Sequence, residues 1–239
     1  MANFGIYIHW PYCLSKCPYC DFFSKVKPGL DQEQTVSGYL EDLDYYASLT
    51  AGRTVTSVFF GGGTPSLLRP ALISRILDRI AARWPLAADA EISLEANPGS
   101  NTPTLFSDLK NAGINRLSLG VQAMNPADLE FLGRRHTLQQ ALEALEQITR
   151  TFDNHSADLI YARPGQQLSD WEKEVRCITS FGLRHLSLYQ LTIEPGTVFY
   201  KQGVRPLEEN AAAEMYEITG ELLQQTGYPR YEVSNYAQP

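Results

Sequence analysis

Short apolar segments alternate with helix-like segments along almost the whole chain. The apolar segments have the length and the β-branched or aromatic content of buried strands. They are predicted at 5–10, 56–62, 91–97, 116–122, 156–162 and 185–192, with a further candidate at 231–236. Because helical patterns lie between these strands, the chain is predicted to form repeated βα units around a parallel sheet.

Several predicted helices have recognisable ends. Pro70 opens one helix and Pro85 stops it. Its apolar stripe consists of Leu72, Ile73, Ile76, Leu77 and Ile80. A second helix is predicted to open at Thr102–Pro103 and to end at Gly113. Two further helix starts have the spacing of a capping box, Thr137 with Gln140 and Ser169 with Glu172.

Polar residues are concentrated where the predicted strands end. Glu95, Gln122 and Gln190 each end an apolar run, as do the glycines at 61–63, while Asp158 interrupts an apolar strand. Barrel enzymes assemble their sites from the carboxyl ends of several strands, whereas an open doubly wound sheet collects them near one switch point. The distribution favours an incomplete (β/α) barrel over the open sheet.

Composition excludes some classes of function. The chain has 239 residues with 20 Lys and Arg against 27 Asp and Glu, a net charge of −7. This charge argues against binding a nucleic-acid backbone as the main role. The sequence shows neither a signal-peptide pattern nor an apolar run approaching the roughly 18 residues of a membrane helix. We therefore predict a cytoplasmic location, and membrane association is left undetermined.

Three of the four cysteines are clustered near the amino terminus. Cys13, Cys17 and Cys20 have the spacing CxxxCxxC, one ligand short of a closed tetrahedral zinc site. His9 is the nearest candidate for a fourth zinc ligand, and an inert thiol cluster is another alternative. A four-iron cluster held by three thiolates leaves one iron open to a small molecule, and this interpretation is favoured. Cys177 lies in a helical segment and is predicted to be a small buried apolar residue.

A glycine-rich turn follows the second predicted strand in "SVFFGGGTPS". Glycines allow the backbone to approach a ligand closely. The GK[ST] and GxGxxG patterns of nucleotide-binding loops are absent. Taken alone, the segment is equally compatible with an ordinary tight turn.

Several motifs together resemble a known family. They are "YIHWPYC…CPYCDF", "FFGGGTPSLL", "EANPGS", "NRLSLGVQAM…LGRRHT", "DLIYARPGQ" and "LSLYQLTIEPGT". In this order they resemble radical S-adenosylmethionine (SAM) proteins of the oxygen-independent coproporphyrinogen III oxidase-like family, and most closely its heme-chaperone branch. The resemblance implies a partial (β/α)6 TIM-like barrel.

The resemblance also implies cofactors and site residues. Cys13, Cys17 and Cys20 would ligate a 4Fe-4S cluster, and SAM would chelate its open iron. An electron from the cluster, supplied by an electron donor, would cleave SAM to a deoxyadenosyl radical. The implied SAM contacts are Tyr7, Tyr19, Gly62, Gly63, Thr64, Glu95, Gln122, Arg134, Asp158 and Thr192.

Some of these residues have structural alternatives. Arg134 follows Gly133, where a cation could simply favour the carboxyl-terminal end of a helix dipole. Gln122 could hydrogen-bond a neighbouring loop. Tyr7 and His9 share one face of the first strand and could be satisfied core groups. Asp158 is the hardest to dismiss, because a carboxylate inside a buried strand is costly without a partner.

Two departures from the family pattern refine the expected function. The oxidases carry a further cysteine two residues after the third, where this chain has Phe22. Phe22 favours a heme chaperone that transfers heme to an acceptor protein over coproporphyrinogen oxidation; a zinc-stabilised barrel is a third possibility. The segment "IYARPG" has Ala162 and Arg163 where the family usually shows Gly-Leu, which puts the local pocket shape in doubt.

The domain organisation follows from the same resemblance. The family continues into a carboxyl-terminal domain with an HNxxYW motif associated with heme, and this sequence contains no such motif. Residues 1–239 are therefore expected to be one radical SAM core domain of a longer protein. A carboxyl-terminal segment is expected to begin near 205–239.

Overall fold

The computed structural model of the chain describes residues 4–100 and 104–239. The chain divides into two compact units. Unit 1 comprises Met1–Ser15, Phe23–Ala96 and Ser100–Leu117, and unit 2 comprises Lys16–Phe22, Asn97–Gly99 and Ser118–Pro239. The helix start predicted at Thr102–Pro103 lies outside the described residues.

Unit 1 is built on three parallel strands. Its strands are β1 (Phe4–Trp10), β2 (Tyr12–Cys13), β3 (Lys25–Val26), β4 (Val55–Gly62) and β5 (Leu86–Ala96). Its helices are α1 (Gln32–Leu49), α2 (Pro70–Arg83) and α3 (Leu105–Asn111). The order β1, β4, β5 is parallel throughout, and the short strands β2 and β3 form a separate parallel pair. Parallel pairing with intervening helices is the predicted βα arrangement.

Helix α2 confirms the prediction made from apolar spacing. All five residues of its predicted stripe are buried. Pro70 occupies the first turn, where its missing N–H is not needed. The helix ends at Arg83, because Trp84, the residue before Pro85, adopts the extended conformation that a following proline favours.

Unit 2 continues the alternation of strands and helices. Its strands are β6 (Arg116–Gln122, of which Arg116 and Leu117 belong to unit 1), β7 (Asn154–Tyr161), β8 (His185–Gln190) and β9 (Asn235–Ala237). Its helices are α4 (Pro126–Phe131), α5 (Leu138–Thr151), α6 (Leu168–Thr179), α7 (Val198–Lys201) and α8 (Glu209–Gln225). The strand order is β6, β7, β8, β9, with β8 parallel to β7 and antiparallel to β9.

The last strand differs from its prediction at 231–236. Only Asn235 and Tyr236 of that range lie in β9. Before them, the Glu232 carboxylate accepts hydrogen bonds from the backbone N–H of Ser234, at 2.8 Å, and from the side chain of Asn235. These local bonds favour a turn over an extended backbone.

The two predicted capping boxes have opposite outcomes. Thr137 and Gln140 form the predicted box at the start of α5. The box at Ser169 and Glu172 is wrong, because α6 already begins at Leu168 and its cap residue makes no side-chain bond. Spacing alone therefore does not establish a cap, since the backbone must also leave the helix at the capping residue.

Among the described residues, no helix combines the length and the apolar character needed to cross a membrane.

Candidate functional site

The glycine turn, residues 61–63 at the end of β4, is hydrogen-bonded to the segment that leads into Cys13. Gly63 donates its N–H to the carbonyl of Trp10 at 2.7 Å, and Thr64 donates to the carbonyl of Tyr12 at 2.9 Å. A Cβ on Gly63 would lie 2.7 Å from the Tyr12 carbonyl oxygen, closer than real Cβ contacts. Only glycine permits this approach, which holds the backbone beside Cys13 in unit 1.

Glu95 and Tyr7 lie close to the same turn. The Glu95 carboxylate accepts the N–H of Gly62 at 3.2 Å, and Gly62 has a φ of +111°. A Cβ on Gly61 would lie 2.9 Å from the Tyr7 ring. Partial burial and the nearby Glu95 carboxylate raise the pKa of Tyr7. Unit 1 therefore brings Tyr7, Glu95 and the glycine turn together.

Tyr7 is not a core residue, although the sequence left that alternative open. Its side chain is 57% exposed. Its hydroxyl pairs with Nδ1 of His9 at 3.2 Å, and Nε2 of His9 lies 3.0 Å from the carbonyl oxygen of Phe23. Both ring nitrogens of His9 are thus engaged, which gives its alternative role as a zinc ligand no support. Within residues 4–100 and 104–239, no three or more His, Cys, Asp or Glu side chains form a site for one metal ion.

In unit 2, Cys17 and Cys20 lie on one tight turn. The N–H of Cys20 donates to the carbonyl of Cys17 at 3.1 Å. Arg134 reaches this turn from the residue after Gly133, with Nη1 at 3.4 Å from the Cys17 Sγ and 3.4 Å from the Tyr19 hydroxyl. None of the four cysteines, all of which are described, is in a disulfide.

The remaining bonds of Arg134 show that it is not a helix-end cation. Its Nη2 donates to the carbonyl of Gly120 at 2.9 Å and to the side chain of Asn97. Its Nε is buried and has no hydrogen-bond partner among the described residues. Burial raises the pKa of Tyr19, against the lowering effect of Arg134, so the phenol stays protonated. The turn therefore presents two thiols beside a neutral hydroxyl and a guanidinium with an unused donor.

The three remaining candidate SAM contacts of unit 2 have different surroundings. They are Gln122, Asp158 and Thr192. Gln122 ends β6 with a φ of +74°, which is uncommon for a residue other than glycine. The Asp158 carboxylate accepts from the hydroxyl of Ser118 at 3.2 and 3.3 Å, and that hydroxyl lies 2.7 Å from the Ser156 hydroxyl. Thr192 is exposed beyond the end of β8. Among these three, only Asp158 therefore has a defined polar partner in the described residues.

Cys177 is half-buried on α6 rather than fully buried as predicted. Burial, followed by the nearby Glu174, raises the pKa of its thiol. A thiol that stays protonated is a poor metal ligand. Cys177 therefore lies apart from the chemistry expected of the other three cysteines.

Sequence reasoning did not select Asn97, whose side chain contacts Arg134, or Glu174, which binds the loop after Gln122. Asn97 directly follows β5 in the quoted segment "EANPGS", so its position after a strand was an available signal. Glu174 is buried on α6, and its N–H partner Met124 lies two residues after Gln122. No local sequence pattern around Glu174 indicates that it contacts Met124, which is 50 positions away in sequence.

Comparisons with known proteins give one consistent result. Residues 7–178 match the model of the radical SAM superfamily. The chain is 42% identical to the heme chaperone HemW of Escherichia coli (strain K12), over 98% of this chain and 63% of that protein. It is 37% identical to the mitochondrial radical S-adenosyl methionine domain-containing protein 1 of Bos taurus, over 98% of this chain and 54% of that protein. The chain thus spans about half to two thirds of the length of these relatives.

A solved structure agrees with these matches. The structure of the coproporphyrinogen III oxidase HemN from Escherichia coli, described as a radical SAM enzyme, superimposes with a TM-score of 0.90. The superposition covers 99% of this chain and 56% of that chain, at 25% sequence identity. The predicted α/β fold class, a partial barrel of the radical SAM type, is thereby confirmed.

Proposed function

The chain belongs to the radical SAM superfamily, and from that membership we propose that it is the core of a heme-chaperone-like protein. In this proposal Cys13, Cys17 and Cys20 hold a 4Fe-4S cluster with one iron open to SAM. The observation that carries it is the three-cysteine loop, whose Cys17–Cys20 turn lies beside Arg134 and whose Cys13 follows a segment bonded to the glycine turn.

The donor set fits an iron–sulfur cluster. Three thiolates are soft ligands suited to iron–sulfur chemistry, and hydrogen bonds to ligating sulfur tune such clusters. Arg134 already contacts the Cys17 sulfur and keeps a buried Nε–H that has no acceptor among the described residues. When bound, the cluster and SAM would supply one-electron reductive chemistry, with the electron coming from an electron donor.

The proposed SAM contacts are distributed over both units. In unit 1 they are Tyr7, Gly62, Gly63, Thr64 and Glu95, and in unit 2 they are Tyr19, Gln122, Arg134, Asp158 and Thr192. The residue types suit the ligand, because carboxylates accept from an α-amino group and ribose hydroxyls, and a guanidinium pairs with a carboxylate. The structure adds a contact to the proposed role of Arg134, because its guanidinium also lies against the sulfur of Cys17.

Transfer of heme to an acceptor protein is proposed on the 42% identity to HemW of Escherichia coli. Phe22 supports this branch, because it stands where the resemblance places the additional cysteine of the oxidases. Its side chain is 60% exposed. A second candidate, an oxidoreductase of the coproporphyrinogen oxidase type, is favoured by the close superposition on HemN.

Anaerobic reconstitution with iron and sulfide tests the cluster. We expect a reduced four-iron EPR signal that changes when SAM is added. Cys17→Ala should abolish the signal, while Cys177→Ala, the matched control on α6, should retain it. A wild-type chain without a four-iron signal, or a signal indifferent to SAM, would contradict the proposal. One bound zinc per chain would support the zinc-stabilised alternative.

Incubation of the reconstituted chain with coproporphyrinogen III, SAM and a chemical reductant separates the two candidate functions. We expect no decarboxylated porphyrin, because Phe22 replaces the additional cysteine. Heme titrated into a full-length version, which would carry the heme-associated carboxyl-terminal domain that the family resemblance implies, should give a Soret band that survives gel filtration. Formation of decarboxylated product would reject the chaperone proposal in favour of the oxidase type.

A further inference from the structure

A fully buried arginine follows β7 in unit 2. Arg163 is 0% exposed. Its Nη2 forms an ion pair with Glu174 on α6 and lies 3.0 Å from a carboxylate oxygen of Asp128 on α4. Its Nη1 donates to the carbonyl of Ile160 at 2.9 Å. One guanidinium therefore connects the end of β7 with two different helices.

Its partner Glu174 is also buried, with an exposure of 5%. One oxygen of the Glu174 carboxylate accepts the backbone N–H of Met124 at 2.7 Å. The other oxygen accepts from Arg163 and from the side chain of Gln166 at 3.3 Å. Burying a carboxylate charge is costly unless a nearby opposite charge compensates it. Arg163 supplies that compensation.

The pair holds one segment at two points. Glu174 binds Met124, in the loop after β6, and Arg163 binds Asp128, in the first turn of α4. Asn125 closes the turn between them, accepting the N–H of Asp128 at 2.9 Å. The segment 122–134 that contains these contacts begins with Gln122 and ends with Arg134, two of the proposed SAM contacts.

A second observation points to the same place. Among the described residues, Gln122 and Ala162 are the two non-glycine residues with positive φ, at +74° and +57°. Ala162 directly precedes Arg163, and Gln122 lies two residues before Met124. Left-handed backbone at a residue with a Cβ persists only where the surroundings hold it. The ion pair is close to both residues: Glu174 binds Met124, two positions after Gln122, and Arg163 directly follows Ala162.

We propose that the buried Arg163–Glu174 pair is a positioning element that anchors segment 122–134. Through it, Gln122 and Arg134 are held in the conformation required of SAM contacts. Neither Arg163 nor Glu174 is itself among the proposed SAM contacts. The consequence for SAM rests on the proposed function, whereas the anchoring of the segment does not.

Hydrogen–deuterium exchange of the full chain, followed peptide by peptide, tests the anchoring. In Arg163→Leu the buried Glu174 carboxylate is uncompensated, and amides of 123–134 should exchange about tenfold faster or more, because the segment opens locally. Arg150→Leu is the matched control, since Arg150 forms an exposed pair with Glu146 on α5. Its exchange in 123–134 should equal that of the wild type.

A double variant keeps the test decisive if Arg163→Leu unfolds the whole chain. In Arg163→Leu/Glu174→Gln no charge is buried, and the amide oxygen of Gln can still accept the N–H of Met124. Protection should recover around Met124, whereas the amides of α4 near Asp128 should still exchange fast, because the contact with Arg163 is lost in both variants. The proposal is overturned if Arg163→Leu folds with unchanged exchange in 123–134, or if the double variant exchanges as fast as the single variant throughout that segment.

The affinity for SAM is measured on the same variants after reconstitution. We expect the Kd of Arg163→Leu to rise about tenfold or more, equivalent to about 1.4 kcal/mol, and that of the double variant to return towards the wild type. A folded Arg163→Leu with faster exchange and wild-type affinity would overturn the positioning role. If the wild type itself binds no SAM, the proposed function fails while the exchange experiment still decides the anchoring.

Discussion

The glycine turn of unit 1 and the charged network of unit 2 are built by opposite means. Around Gly63 the backbone is held by two hydrogen bonds and by the absence of a side chain. Around Arg163 and Glu174 the backbone is held by two large side chains whose charges are buried together. An added atom is expected to destabilise the first region, and the loss of one charge without its partner is expected to destabilise the second. The difference teaches that a local glycine pattern and a long-range ion pair can both place a proposed ligand contact.

Removal of one buried charge should have the largest effect. We expect Arg163→Leu to lower the free energy of unfolding by about 3–5 kcal/mol, because Glu174 is left buried without a counter-charge. Urea denaturation followed by circular dichroism measures the change. The double variant Arg163→Leu/Glu174→Gln should recover most of the loss. If single and double variants were equally destabilised, side-chain packing rather than charge would dominate the network.

An added methyl group tests the other region. Gly63→Ala should cost about 1–3 kcal/mol, because its Cβ would meet the carbonyl oxygens of Tyr12 at 2.7 Å and Trp10 at 2.9 Å, and neither backbone atom can move cheaply. Gly38→Ala provides a control for a glycine-to-alanine change in open space, since no atom lies within 4 Å of its Cβ and its φ is not positive. Gly38 lies within α1, so its variant should be at least as stable as the wild type. A Gly63→Ala variant as stable as the wild type would reject the steric explanation.

An exposed ion pair should give the smallest effect and completes the comparison. Hydrogen bonds from Arg83 and then Arg79 lower the pKa of Asp44 to about 2. Because this pKa is depressed on folding, the associated stability is fully present above the unfolded value near 3.8 and is lost as pH falls towards about 2. Solvent screening keeps the contribution small.

The measurement compares unfolding free energies of wild type and Asp44→Asn between pH 5 and about 2. The difference between the two proteins should be constant above about pH 4 and should shrink below it. Parallel profiles across the whole range would show that the ion pair contributes nothing on folding.

Local patterns predicted well where the physical cause is itself local. The apolar stripe of α2 and the Thr137 capping box depend on residues within one or two turns, and both are confirmed. The strand-end position of Glu95 also followed from a single apolar run, and the structure places its carboxylate on the glycine turn. Prediction failed at Ser169, where the same spacing is compatible with a helix that starts earlier.

Contacts between distant residues were not accessible in the same way. Arg134 was open to interpretation as a helix-end cation, and only the fold shows its contacts with Cys17, 117 positions away in sequence, and with Asn97. Arg163 appeared only as a departure from a family pattern. Its charge is compensated by Glu174 on α6, and this contact exists only once unit 2 is packed.

The sequence by itself determined the alternation of the six main strands with helices, the three thiols at CxxxCxxC and the glycines at 61–63. These features depend on periodicity and on residue type, which are readable along the chain. Only the tertiary structure decided which charged groups are buried and which partners they have. The physical reason is that the cost of burying a charge depends on what lies against it, and those neighbours come from distant parts of the chain.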